Sequence, residues 1–216
     1  VVLVLLNGSA LAVNWENENV AAIVEAWYPG QASGTAIADV LFGDYNPAGR
    51  LPVTFYKSVK DLPAFENYNM QGRTYRYFAG EPLYPFGYGL SYTSFSYAWT
   101  DTSIHKRPGG FNFNVRVTNT GKMAGDEVVQ LYVTPKNSAA QSPLRYLAAF
   151  KRIHLEPGES RDLEFVLKHD ALATVTAEGK RDVVSGNYEI SIGGSQPGMK
   201  TKTNANIITT IARIRD

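Results

Sequence analysis

The stretch from Gln71 to Thr93, QGRTYRYFAGEPLYPFGYGLSYT, constrains this chain more than any other, because the residues before it read as α/β and those after it as all-β. Pro82, Pro85, Gly80, Gly87 and Gly89 rule out a regular helix here and discourage a central strand. Tyr75, Tyr77, Phe78, Tyr84, Phe86, Tyr88 and Tyr92 make it too apolar to hang in water, so it must be packed on something. It is either a linker whose rings plug a crevice between domains or a loop that reaches a sugar-binding site.

Before this stretch, Val1 to Leu6 is β-branched and apolar on both faces, the pattern of a parallel strand covered by helices. Asn7-Gly8-Ser9 ends it as a turn, at a position where Asn7 or Ser9 could also touch a ligand. Val20 to Trp27 reads as a second buried strand, with a short helix as the competing reading. Pro29-Gly30-Gln31 opens a helix in which Ala36, Ile37, Val40 and Leu41 keep the helical period, and Gly43 is placed to close it. Arg50 to Tyr56 reads as a strand that Pro52 confines to an edge.

After it, short alternating segments are separated by turns: Phe95 to Trp99, Phe111 to Val117, Glu127 to Val133, Ala148 to Leu155, Leu163 to Leu167 and Tyr188 to Ile192. Pro108-Gly109-Gly110, Asn119-Thr120-Gly121, Glu156-Pro157-Gly158 and Ser185-Gly186-Asn187 supply the turn chemistry. This pattern implies two packed antiparallel sheets. The tail after Gly194 carries no clear signal.

Charge and composition exclude several functions. A net charge of +1 gives no field to collect nucleic acid or an anionic membrane, so neither is expected as a partner. The run Val1 to Leu6 is far short of the ~20 residues a membrane helix needs, and a chain that opens in mid-strand reads as a fragment or processed piece. Without Cys there is no disulfide and no thiolate, and three scattered His offer no metal site, so no cofactor is expected. A serine nucleophile elbow is missing: Gly30-Gln31-Ala32-Ser33-Gly34 has the wrong spacing, and His105, His154 and His169 all fall in the all-β part.

The wording QGRTYRYF and EPLYPFGYGLSYT, preceded by PGQASGTAIADVLFGDYNPAGRLPVTF, resembles the C-terminal part of glycoside hydrolase family 3, the β-glucosidases and β-xylosidases, from Val1 to about Gly194. The resemblance implies that residues 1–70 end the family's α/β sandwich domain. It makes 71–93 a linker, 94–194 a fibronectin type III-like (immunoglobulin-like) sandwich and 195–216 a tail. The fold class is thus an α/β remnant, a parallel-type sheet with a helix, followed by an all-β sandwich. Retaining hydrolysis needs two carboxylates about 5 Å apart, and in the family these come from a (β/α)8 barrel and from a loop upstream of Val1. Glu16, Glu18, Glu25, Asp39, Asp44, Asp61, Glu66 and Glu81 sit singly among polar or turn residues, and none is expected to be catalytic.

Four residues where the α/β part meets the linker, Met70, Gln71, Arg73 and Tyr75, are carried over from the resemblance as substrate-binding candidates, since the region borders the family's active site. Arg73 bonded to backbone carbonyls between domains is the structural alternative. The implied partners are a β-linked glucoside or xyloside oligosaccharide in the complete enzyme, and the barrel segment or a second copy of the chain. The resemblance favours a periplasmic or secreted location, and the isolated chain is expected to be inactive as a glycosidase. Two other readings remain open, a carbohydrate-binding or scaffold module without catalysis, and a free-standing hydrolase such as an esterase.

Overall fold

In the computed structural model, residues 1–101, 105–107, 109–136, 142–175, 179–199 and 205–214 are described, except for the side chains of 105–107 and 174. The chain runs β1 (Val2–Leu5), α1 (Asn14–Asn19), β2 (Ala22–Glu25) and α2 (Ser33–Phe42), then a single helical turn, α3 (Thr74–Tyr77). The strands after it are β3 (Phe95–Trp99), β4 (His105–Arg107), β5 (Gly110–Asn119), β6 (Gly125–Pro135), β7 (Tyr146–Leu155) and β8 (Ser160–Lys168). The short β9 (Thr174–Val175) and β10 (Arg181–Asp182) precede β11 (Gly186–Gly193) and β12 (Ile207–Ile214).

The α/β part is small and open. Strands β1 and β2 pair in parallel, with Val2 opposite Ala22 and Leu5 opposite Glu25. Gly43 closes α2 at φ +88°, a left-handed position that glycine takes without strain, and its N–H reaches the Asp39 carbonyl at 3.1 Å. The strands expected to be covered on both faces are only half-buried, and no residue of α2 is buried. The core here is Val13, Phe55 and Leu83, with Leu5, Ile23, Trp27, Leu51 and Tyr84 packed around it.

Two expectations are corrected. Arg50 to Tyr56 is not a strand of the sheet: its one β-bridge joins Phe55 to Tyr84. Pro52 removes a donor, and Leu51 and Phe55 bond instead to the aromatic linker, through Leu51 N–H to the Tyr88 carbonyl (2.8 Å), Gly87 N–H to the Leu51 carbonyl (2.7 Å) and Phe55 N–H to the Tyr84 carbonyl (2.9 Å). The stretch after Gly194 is not a featureless tail, because β12 pairs antiparallel with β11 along its whole length, Ile207 against Gly193 and Ile214 against Gly186. Asn206 then ties this end to β3, donating from Nδ2 to the Tyr97 carbonyl (3.0 Å) and accepting the Tyr97 N–H (2.7 Å).

The all-β part is a sandwich of two antiparallel sheets. One has the order β12-β11-β6-β7; in the other β5 is central, flanked by β8 on one side and by β3 and β4 on the other. The alternation of Phe111, Phe113, Val115 and Val117 on β5 meets Val129, Leu131 and Val133 on β6 and Ile190 and Ile192 on β11 across the interior. The turn at Gly109-Gly110 lies where expected, while Pro108 falls outside the described residues. Among the described residues no helix is long and apolar enough to cross a membrane.

Candidate functional site

The segment from Ser58 to Phe78 has almost no regular structure, yet it is internally organised. Ser58 and Asp61 form a reciprocal cap on a short helical turn at Val59–Asp61. Asn67 Oδ1 accepts the Asn69 N–H (2.9 Å), and Asn69 Oδ1 accepts the Gln71 N–H (3.1 Å), two Asx turns in series. Arg73 closes the loop from its far end: Nε donates to the Asn69 carbonyl (3.2 Å), and Nη2 donates to those of Ala64 (3.2 Å) and Asn67 (2.6 Å). Thr74 comes next at φ +56°, a strained conformation for a β-branched residue. Its N–H is held by the Tyr56 hydroxyl at 2.8 Å, and Tyr56 packs edge-on against Phe78.

The structure therefore divides the four carried-over residues. Arg73 is bonded to backbone carbonyls, but within one loop and not between domains. Tyr75 faces the sandwich: its ring stacks on Phe86 (centroids 4.1 Å apart) and meets Tyr132 edge-on, and its hydroxyl accepts the Leu147 N–H of β7 at 3.1 Å. Met70 and Gln71 are exposed on the loop. The rings that the loop leaves free belong to residues not singled out from sequence, Phe65 and Tyr68, each 89% exposed. Only their place in a loop folded around its own backbone sets them apart, and that is invisible in the order of residues.

The loop and linker are fixed to the sandwich by polar contacts. Asn46 accepts from Ser91 Oγ and Tyr92 N–H (both 2.9 Å) and donates to the Ala124 carbonyl (3.0 Å). Gln130 donates to the carbonyls of Gly87 and Gly194 (both 3.0 Å), and a side chain at Gly87 would run into Gln130 and Tyr132. Arg50 enters the end of the sandwich and pairs with Glu127 at 3.0 Å, both side chains nearly inaccessible. Burial pushes the Glu127 carboxyl above its ordinary range, with Arg50 pulling the other way.

No other carboxylate is buried among the described residues. Glu81 pairs with Lys57 at the surface, Asp61 caps its own turn, and Glu25 accepts the Trp27 N–H. His154 lies outside with Asp126 and Glu156, and His169 packs beside Phe111. The His105 side chain falls outside the described residues. No group of three or more His, Asp or Glu side chains able to hold a metal ion exists among the described residues. Asn7 Nδ2 bonds the Ser9 carbonyl (2.6 Å) within its own turn.

Among the described residues the chain is an open α/β unit joined by an aromatic linker to a sandwich of two antiparallel sheets, with Glu127 as its one buried acidic residue. Residues 1–92 match the model of the glycosyl hydrolase family 3 C-terminal domain, and residues 127–196 that of the fibronectin type III-like domain. The chain is 44% identical over 196 residues to a xylan 1,4-beta-xylosidase of Xylanibacter ruminicola, covering 90% of this chain and 22% of that protein. It is 41% identical to a periplasmic beta-glucosidase of Salmonella typhimurium, covering 89% of this chain and 27% of that one. Among solved structures, a beta-glucosidase from Kluyveromyces marxianus in complex with glucose superimposes with a TM-score of 0.86 at 33% identity, over 100% of this chain and 27% of that one. The chain belongs to glycoside hydrolase family 3, as the family's C-terminal α/β portion and its fibronectin type III-like domain. It spans about a quarter of the length of the curated relatives it matches.

Proposed function

We propose that this chain acts as the non-catalytic C-terminal portion of a β-glucosidase or β-xylosidase that hydrolyses O-glycosidic bonds at non-reducing β-linked sugars. Its share of the work is to hold the loop 58–78 beside an active site whose nucleophile and acid/base lie in another segment. The supporting observation is the placement of the carboxylates: the one buried acidic residue among the described residues, Glu127, is consumed by Arg50, Glu25 is half-buried and stands alone with the Trp27 N–H on one oxygen, and Glu81 and Asp61 are taken up by a surface ion pair and a turn cap. The pair of closely spaced carboxylates that retaining hydrolysis requires has no counterpart in such an arrangement. Within this reading Met70 and Gln71 are substrate contacts, Phe65 and Tyr68 offer faces on which the apolar side of a pyranose can stack, and Arg73 holds them in place. The apolar surface of the α/β part is covered in the working enzyme by the barrel-bearing segment or by a second copy of the chain.

The test is turnover of aryl β-glucosides and β-xylosides by the purified 216-residue chain. No hydrolysis above the uncatalysed rate is expected, since loss of both catalytic carboxylates removes many orders of magnitude in rate. Sustained turnover that stays with the protein through every purification step would overturn the proposal and return the free-standing hydrolase to first place.

A further inference from the structure

The Arg50–Glu127 pair is an unusual expense for a small domain, because two charges taken out of water recover their desolvation cost only with good geometry and further hydrogen bonds. Arg50 has both. Besides Glu127 Oε2, its Nε donates to the Gly194 carbonyl (3.2 Å) and its Nη1 to the carbonyls of Ala48 (3.2 Å) and Gly49 (3.1 Å). One guanidinium thus joins the segment after α2, the start of β6 and the end of β11. Glu127 occupies an inward position in the alternation Glu127, Val129, Leu131, Val133, where an apolar residue would complete the core. Burial first, and then the neighbouring Glu127 carboxylate, push the Tyr97 hydroxyl on the opposite sheet above its ordinary value, so the pair also has a polar neighbour across the interior.

The Gly194 carbonyl that takes Arg50 also takes Gln130, whose amide holds the Gly87 carbonyl of the linker and whose Oε1 accepts from the Tyr132 hydroxyl (2.6 Å). Tyr132 in turn meets the edge of Tyr75, which stacks on Phe86 and caps the Leu147 N–H. A continuous set of direct contacts therefore runs from the buried pair to the residue two places after Arg73. We infer that Arg50 and Glu127 are positioning residues: they set the register in which the aromatic linker, and with it the loop 58–78, stands on the sandwich. An ion pair fixes direction and distance, whereas apolar packing of the same volume tolerates sliding.

The test is hydrogen exchange of the 216-residue chain, read at two sets of amides. Gly87 N–H, bonded to Leu51, and Leu147 N–H, bonded to Tyr75, report the linker's seat; Leu131 and Ile190 N–H report the sandwich core. In Glu127→Gln the first set should exchange about tenfold faster or more, with the second changed by less than about twofold. The double variant Arg50→Met/Glu127→Met separates positioning from stability, because an apolar pair can replace a buried ion pair without loss of stability. Core protection should be retained in it while Gly87 and Leu147 stay fast. The inference is overturned if the linker amides are unchanged in Glu127→Gln, if linker and core accelerate together, or if the double variant restores linker protection. Should Glu127→Gln fail to fold, the double variant decides by the same criterion.

Discussion

The two halves of this chain meet water on opposite terms. In the sandwich, Val115, Val117, Leu131, Val133 and Ile190 have no accessible surface at all, and both sheets contribute to one continuous interior. In the α/β part the core is three buried residues, while Trp15, Tyr28 and Phe42 stand largely in solvent, Phe42 at 84%. A parallel pair of strands is rarely stable without covered faces. What keeps this one in place is its seam with the rest of the chain: Leu83 and Tyr84 of the linker supply part of its core, and Arg50, Asn46 and Tyr45 bind it to the sandwich. The difference teaches that the sandwich is the self-sufficient unit and the α/β part the dependent one, and that the loop 58–78 belongs energetically to their junction.

The largest expected effect contrasts one leucine from each side. Leu131→Ala should cost about 2–5 kcal/mol, since the residue is fully enclosed and leaves a cavity, whereas Leu3→Ala in β1, half-buried, should cost about 1 kcal/mol or less. Equal losses in denaturant titrations would erase the contrast. Next comes the loop itself. Arg73→Ala removes three hydrogen bonds to carbonyls of Ala64, Asn67 and Asn69 and should lower local stability by about 1–3 kcal/mol. Limited proteolysis near Phe65 should accelerate while the thermal midpoint of the sandwich hardly moves; an unchanged cleavage rate would mean that the loop holds its shape without the clamp.

The smallest effect concerns the exposed cluster at the seam. Burial pushes Asp126 up, but bonds to His154 and Arg152 outweigh it and hold the carboxyl below its ordinary value, while Asp126 raises His154 above 6.5. The raised imidazole contributes stability that is full below its ordinary value and fades as pH climbs through the raised one; the depressed carboxyl contributes above its ordinary value and loses that as pH falls through the lowered one. The thermal midpoints of wild type and His154→Ala should therefore differ slightly near pH 5.5 and converge by about pH 9. A difference that grows with pH would show the sign to be wrong.

Much of the sandwich was legible because period-two alternation and turn chemistry act locally: β3 appears with the expected bounds, and β5 to β8 and β11 contain the expected segments. The strand β12 was not, because its inward positions Thr210, Ala212 and Ile214 are small or mixed and blur the alternation. Leu51 and Phe55 pair with a linker that offers only scattered carbonyls and amides, so the stretch Arg50 to Tyr56, expected as an edge strand, finds no partner strand. Of the candidate site, the clamp on Arg73 was foreseeable from a guanidinium in a segment rich in Pro and Gly, but its partners inside one loop were not. The Arg50–Glu127 pair spans 77 residues, and its one local trace is a charged side chain in the apolar phase of β6.

Native-state hydrogen exchange of the unmodified chain tests the dependence of one half on the other most directly. The amides of β5, β6 and β11 should open only with global unfolding, while those of β1, β2 and α2 should exchange through a smaller opening that leaves the sandwich protected. The same opening free energy for Val4 and Val24 as for Leu131 and Ile190 would contradict this account and make the chain one cooperative unit.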